Sequence, residues 1–178
     1  LNPSSAASDV YKRQANGRIL EIISEKLKSR GIDWVVWDNK EYSLPFVGEE
    51  GCWDHPNVKK YKELADSADA FVLSSPEYHG TMSGVMKNSL DWLSFDQTSG
   101  KVFGFISTLG GQPNTTTLNH MRTVVRWIHG FSIPEQLVIA KVKTAFDDDG
   151  NLVDEDIKKR VDKFLSLIHI SEPTRLGF

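Results

Sequence analysis

The stretch from Ala70 to Trp92 constrains this chain most. An apolar run, Ala70-Phe71-Val72-Leu73, leads into Ser74-Ser75-Pro76-Glu77-Tyr78-His79-Gly80-Thr81. Val85, Met86, Leu90 and Leu93 then recur at spacings of three and four. That order predicts a buried strand stopping at Leu73, a polar turn, and a helix that follows it. In an open α/β sheet such a turn lies beyond the carboxyl end of a strand, where ligands bind. Gly80, Gly84 and Pro76 shape its backbone rather than merely loosening it. Free N–H groups at the start of the next helix favour an anionic or electron-rich ligand.

The rest of the chain alternates in the same manner. Ile19, Leu20, Ile23 and Leu27 predict a helix that Gly31 stops, with Asn16 at its N-cap. Ile32 to Trp37 alternates like a strand. Residues 38–56 form a loop carrying Trp53 and His55, either the rim of a site or oligomer contact, or plain surface. Val58, Tyr61, Leu64, Ala65 and Ala68 predict a second helix, and Leu118, Met121, Val125 and Ile128 another. Strands are predicted over Lys101 to Ser107 and Ile133 to Val142. Asp154 caps a final helix with Ile157, Val161, Phe164 and Leu165 inward. Helix and strand alternate without a linker, which argues one domain with a parallel sheet and helices on both faces. After the strand ending at Ser107, Gly110 and Gly111 permit close approach of backbone to a ligand, or form an ordinary turn.

Charge and cysteine content exclude several classes. The net charge of −3 comes without a basic stripe, so nucleic acid is not a partner. Cys52 is the single cysteine, which excludes an internal disulfide and suits a reducing, cytoplasmic setting. No apolar run approaches the ~18 residues of a membrane span, so no membrane partner is expected. The histidines at 55, 79, 120, 129 and 169 show no metal-ligand spacing, and no metal site is expected. A G-x-S-x-G nucleophile elbow is absent. Asp147-Asp148-Asp149-Gly150-Asn151 resembles half of a calcium loop, but Lys158 stands at the twelfth position, and a solvated acidic turn is expected. Residues 1–14 and 167–178 resemble translated sequencing-adapter read-through. They are set aside as non-native ends around a single domain over 15–166.

The words of the central stretch carry a resemblance. Residues 76–94 resemble the P-E-Y-N-G-x-x-P-G-x-x-K-N-x-x-D-W-x-S signature of the NADPH-dependent FMN reductase family. Pro76, Glu77, Tyr78, Gly80, Gly84, Lys87, Asn88, Asp91, Trp92 and Ser94 fall in register. His79 stands where the family has Asn, and Ser83 where it often has Pro. The resemblance implies a flavodoxin-like, doubly wound parallel α/β sheet of order 2-1-3-4-5. It implies FMN as cofactor, NADPH or NADH as donor, and a flavin, quinone, azo or nitro compound as acceptor. Hydride passes through the flavin, so no catalytic side chain is named.

By the same resemblance Pro76, Glu77, Tyr78, His79 and Gly80 border the flavin, and Ser107, Thr108, Leu109, Gly110 and Gly111 line its other side. Tyr78 equally suits a packed structural phenol. Of the family's G-S-x-R-x-x-S-x-N phosphate loop only Ala15-Asn16 remains. The first strand is then lost, or replaced by the N-terminal tail. A homodimer or homotetramer is implied, with Trp92, Phe95 and the Trp53 loop as contact candidates. The alternatives are an FMN electron carrier without enzyme activity and an inactive fragment of the reductase.

Overall fold

β-branched and aromatic residues bounded by glycine, proline and serine make the sheet, and amphipathic stretches between them make the helices. The computed structural model describes the backbone of residues 3–170 and side chains from 15 to 168. Its elements are α1 (Pro3–Ser29), α2 (Pro56–Ser67), β1 (Ala70–Tyr78), β2 (Thr81–Met82), α3 (Gly84–Asp91), α4 (Phe95–Thr98), β3 (Val102–Thr108), α5 (Thr116–Trp127), β4 (Phe131–Ile139) and α6 (Glu155–Ile170). A 3-10 turn, Cys52–Asp54, precedes α2.

The sheet order is β2-β1-β3-β4. β1 and β3 pair in parallel from Ala70↔Val102 to Pro76↔Thr108. β4 pairs in parallel with β3, with a register shift between Phe103 and Phe105. Pro134 is tolerated in β4 because that strand is an edge. Every residue of β3 is buried, as expected of a central strand covered on both faces.

Alternation along the strands sends side chains into two cores. One holds Val102 and Ile106 with Ile19, Ile23 and Leu27 of α1 and Val161, Phe164 and Leu165 of α6. The other holds Leu73, Phe103 and Phe105 with Leu118, Met121 and Val125 of α5. Phe71 and Phe103 stack with centroids 4.6 Å apart. Gly31 (φ 72°) ends α1, and the Ile32 N–H donates to the Leu27 carbonyl. Asp154 Oδ1 accepts from the Asp156 and Ile157 N–H groups at the start of α6, the cap that the sequence predicts.

Several expectations are corrected. The first strand of the chain does not stop at Leu73; it runs on to Tyr78, because Glu77 and Tyr78 find partners in β2. Ile32–Trp37 is in no ladder. It packs by side chains instead: Ile32 and Trp34 lie on the α1 core, Trp34 Nε1 donates to Ser24 Oγ (2.7 Å), and Trp37 meets Tyr61 at 4.9 Å. Burial there pushes the Tyr61 phenol above its usual range. Asn16 is inside α1 and is not its N-cap, since the helix already runs from Pro3. The N-terminal segment is therefore helix and fills no strand slot beside β1. Val85 is exposed, so the inward side of α3 is carried by Leu90 with Met86. Trp92 is buried, with Nε1 donating to the Pro45 carbonyl, which removes it as an oligomer contact. Leu167 and Ile168, at the start of the segment set aside as a tail, lie within α6 and pack on the first core.

Residues 171–178 of the assigned C-terminal tail, and residues 1 and 2, lie outside the described residues. No described helix is long and apolar enough to cross a membrane.

Gly104 of β3 lies under Phe164 and Ile168, so an added Cβ would overlap both side chains. Gly104→Ala is expected to lower the unfolding free energy by about 1–3 kcal/mol in urea titration. An unchanged midpoint would show that α6 does not seat on β3 here.

A second expectation concerns acid. The mostly buried Glu135 of β4 accepts from Arg160 (2.9 Å) and Lys163 (3.0 Å) of α6. Burial alone would raise its pKa, but the hydrogen bonds from Lys163 and Arg160 outweigh it and hold the carboxyl below its ordinary 4.5. A depressed folded pKa gives stability that is complete above the unfolded value and is lost as pH falls through the folded one. Glu135→Gln is expected to flatten the fall in thermal midpoint below about pH 4.5. Parallel slopes for the two proteins would contradict that coupling.

Candidate functional site

Parallel pairing puts Pro76 of β1 beside Thr108 of β3, so the chain leaves the sheet twice at one carboxyl edge. The first exit is a tight hairpin. Tyr78 pairs with Thr81, and the two central residues, His79 (φ 50°) and Gly80 (φ 79°), both take positive φ. A type I′ turn requires this, and histidine is among the side chains that tolerate it, as asparagine is. The substitution of His for the family's Asn thus leaves the turn intact. Ser75 Oγ accepts from the Ser83 N–H (3.0 Å), and Ser83 Oγ caps α3 by accepting from the Met86 N–H (3.1 Å). The polar residues after Leu73 thereby fix the path from strand to helix.

The second exit is the loop Leu109-Gly110-Gly111. The Leu109 N–H donates to the Ile139 carbonyl (2.9 Å), and the Lys141 N–H to the Gly111 carbonyl (3.3 Å). Asn114 Oδ1 then accepts from the Thr116 N–H at the start of α5. Glu77 bridges the two exits. Its Oε1 accepts from Asn114 Nδ2 (2.8 Å) and its Oε2 from Thr117 Oγ1 (2.9 Å). A carboxylate at the first turn of a helix also meets the positive end of its dipole. A second tie joins His120 Nδ1 of α5 to Thr81 Oγ1 at 2.8 Å.

The residues singled out from sequence therefore meet at one edge. Pro76 and Glu77 end β1, Tyr78 to Gly80 form the hairpin, and Ser107 to Gly111 run from β3 into its loop. Ser107, Thr108 and Leu109 are buried, while His79, Gly110 and Gly111 are exposed. Asn16 reaches the same strand from α1: Ser74 Oγ donates to its Oδ1 (2.7 Å), and its Nδ2 donates to the Ser74 carbonyl (3.4 Å). Asn114, Thr117, Thr81 and His120 were not anticipated. The signal for the first two was the Asn-Thr-Thr-Thr run at a helix start, facing an acid on the neighbouring strand.

Two clefts open on the surface. The larger, about 540 Å³, is an open and mainly apolar space between α3, α4 and the last turns of α5, lined by Leu90, Phe95, Val124 and Trp127. It flanks the amino-terminal end of the sheet, away from the carboxyl edge, with Lys87, Asp91, Ser94 and Arg126 also in its lining. The smaller, about 300 Å³, lies between α1 and the 147–151 turn and is lined by Arg18, Glu21, Glu25, Asp148 and Asp149.

A flavin mononucleotide can be tested against the carboxyl edge end by end. The ring end fits. Gly80 and Gly111 have open space where a Cβ would stand, so a planar ring can approach the backbone. Ser107 Oγ, at the same edge, is the one buried side-chain polar atom without a hydrogen-bond partner among the described residues. The phosphate end does not fit among the described residues. α1 is continuous through Asn16 and Gly17, so their N–H groups are taken up inside the helix. Arg18 Nη1 already donates to the Asp147 carbonyl (3.3 Å), and carboxylates surround it.

Comparison with known proteins agrees with this architecture. The family model described as NADPH-dependent FMN reductase matches residues 8–144. A relative from Staphylococcus aureus, named FMN-dependent NADPH-azoreductase, is 32% identical over 160 residues, covering 84% of this chain and 85% of its own. Among solved structures, the flavoenzyme NAD(P)H:(acceptor) oxidoreductase FerB of Paracoccus denitrificans superposes with a TM-score of 0.71 at 20% identity, over 89% of this chain and 91% of its own. An archaeal flavodoxin gives 0.60 at 14% identity, over 89% of this chain and 91% of its own. The fold is flavodoxin-like. The chain belongs to the NADPH-dependent FMN reductase family, a family of oxidoreductases.

The Glu77 bridge makes a direct expectation. Glu77→Ala should cost about 1–2 kcal/mol of stability and speed amide exchange over 77–82, because two charge-assisted hydrogen bonds are lost. Glu77→Gln, which keeps one acceptor, should lose about half as much. Equal losses, or unchanged exchange in the hairpin, would contradict a bridge that sets the hairpin's position.

Proposed function

We propose that this chain is an NAD(P)H-dependent reductase that uses FMN to pass electrons to a flavin, quinone or azo acceptor. One observation carries the reading: Glu77 locks together two backbone turns at the same carboxyl edge, in a chain of the FMN reductase family. When bound, the flavin supplies the two-electron chemistry, which is why no acid or base side chain is assigned. The chain's own part is geometric. The His79-Gly80 turn and the Gly110-Gly111 loop offer close backbone approach to a planar ring. Their mutual position is held by Glu77 and by the His120–Thr81 contact, so donor and acceptor can meet one ring in turn.

The acceptor named for the S. aureus relative is an azo compound, and that class supplies the first substrate to try. Self-association on this reading uses exposed aromatic surface, with Trp53 (64% exposed) and Phe95 (48%) in place of the buried Trp92.

The test is oxidation of NADPH and NADH by the purified chain with added FMN and an azo dye or quinone. Turnover that needs the protein, the flavin and the acceptor together is expected, and Gly111→Val should lower it at least tenfold with little change in stability. Flavin binding without pyridine nucleotide oxidation would replace this reading with that of an electron carrier.

A further inference from the structure

We infer that this chain takes a flavin by its ring and has no subsite for the phosphate among the described residues, so that neutral riboflavin binds about as well as FMN. This depends on the reductase reading above and names the ligand class for the same site.

A phosphate beside α1 needs donors or cations, and among the described residues both are engaged or distant. Free N–H groups belong only to the first turn of a helix, and α1 begins at Pro3. Thirteen residues of helix separate Pro3 from Asn16, roughly 20 Å at 1.5 Å per residue. That exceeds the reach of a ribityl chain from a ring at the carboxyl edge. Asn16 is held in a reciprocal pair with Ser74. Arg18 is turned to the Asp147 carbonyl.

The charge at this corner points the same way. Glu21, Glu25, Asp148 and Asp149 line the cleft around Arg18, four carboxylates to one guanidinium. Asp147 adds a fifth beside it: the Asn151 N–H donates to its Oδ1 (2.8 Å), and hydrogen bonding of this kind keeps its carboxyl below the ordinary range. The turn that carries these acids closes as a small hairpin, with Phe146 bridged to Leu152. Its position between β4 and α6 puts it at the carboxyl end of the sheet, on the α1 side. A phosphate of roughly two negative charges meets repulsion there, whereas riboflavin carries no charge to repel. Lys141 and Lys143 precede the turn but are exposed, and an exposed cation in water recovers little.

Flavin fluorescence titrations of the full chain with riboflavin and with FMN, at low and at high salt, test this. FMN is expected to bind no more than about threefold tighter than riboflavin, and salt should shift the balance toward FMN by screening the acids. The double variant Asp148→Lys, Asp149→Lys should tighten FMN about threefold or more and leave riboflavin unchanged. FMN binding beyond threefold tighter in the parent chain, or a double variant with no gain for FMN, overturns the inference and leaves the reductase reading standing. Failure of both flavins to bind overturns the reductase reading itself, and the inference with it.

Discussion

The parallel register of β1 on β3 is the constraint from which the rest follows. Seven residue pairs, Ala70↔Val102 through Pro76↔Thr108, run side by side and end together. A parallel pair cannot be closed by a tight turn, so each strand must hand the chain to a crossover at the same edge. Two exits therefore lie next to each other before any side-chain chemistry is considered. The carboxylate of Glu77 converts that adjacency into a fixed geometry, because its two oxygens reach the loop and the first turn of α5 that follow the neighbouring strand. A hairpin left untied at a sheet edge would be among the least stable parts of the fold.

Much of this was legible in the chain itself. A continuous apolar run marked β1, and period 3.6 marked the helices, because each helix has one side facing a core. The Gly110-Gly111 pair and the glycine of the His79-Gly80 turn were visible as turn chemistry, and the signature through Ser94 pointed to the family now shown. What stayed hidden depended on partners distant in sequence. Glu77 and Tyr78 look like turn residues until β2 pairs with them. Ile32–Trp37 has the pattern of a strand, but a pattern describes faces and says nothing of whether a neighbour exists to complete the ladder. The bond between Asn114 and Glu77 spans 37 residues and leaves no periodic trace.

The two ends of the proposed flavin site differ in kind. At the ring end the recognition elements are backbone turns, which survive substitutions such as His79 for Asn as long as positive φ is tolerated. At the other end recognition would need a helix start, and α1 instead passes through uninterrupted. Family membership and the proposed ligand preference can therefore separate within one chain: the fold follows the family, while the acids beside α1 disfavour a phosphate.

The central claim is that the hairpin and the Gly-Gly loop together form the flavin site. Backbone amide chemical shifts of the isotope-labelled chain, followed during titration with riboflavin, test it most directly. The result expected is saturable change confined to Tyr78–Gly80, Leu109–Gly111 and the first turn of α5, with Glu77→Ala weakening the response. Saturable change centred on Leu90, Val124 and Trp127, in the larger cleft at the other end of the sheet, would contradict it.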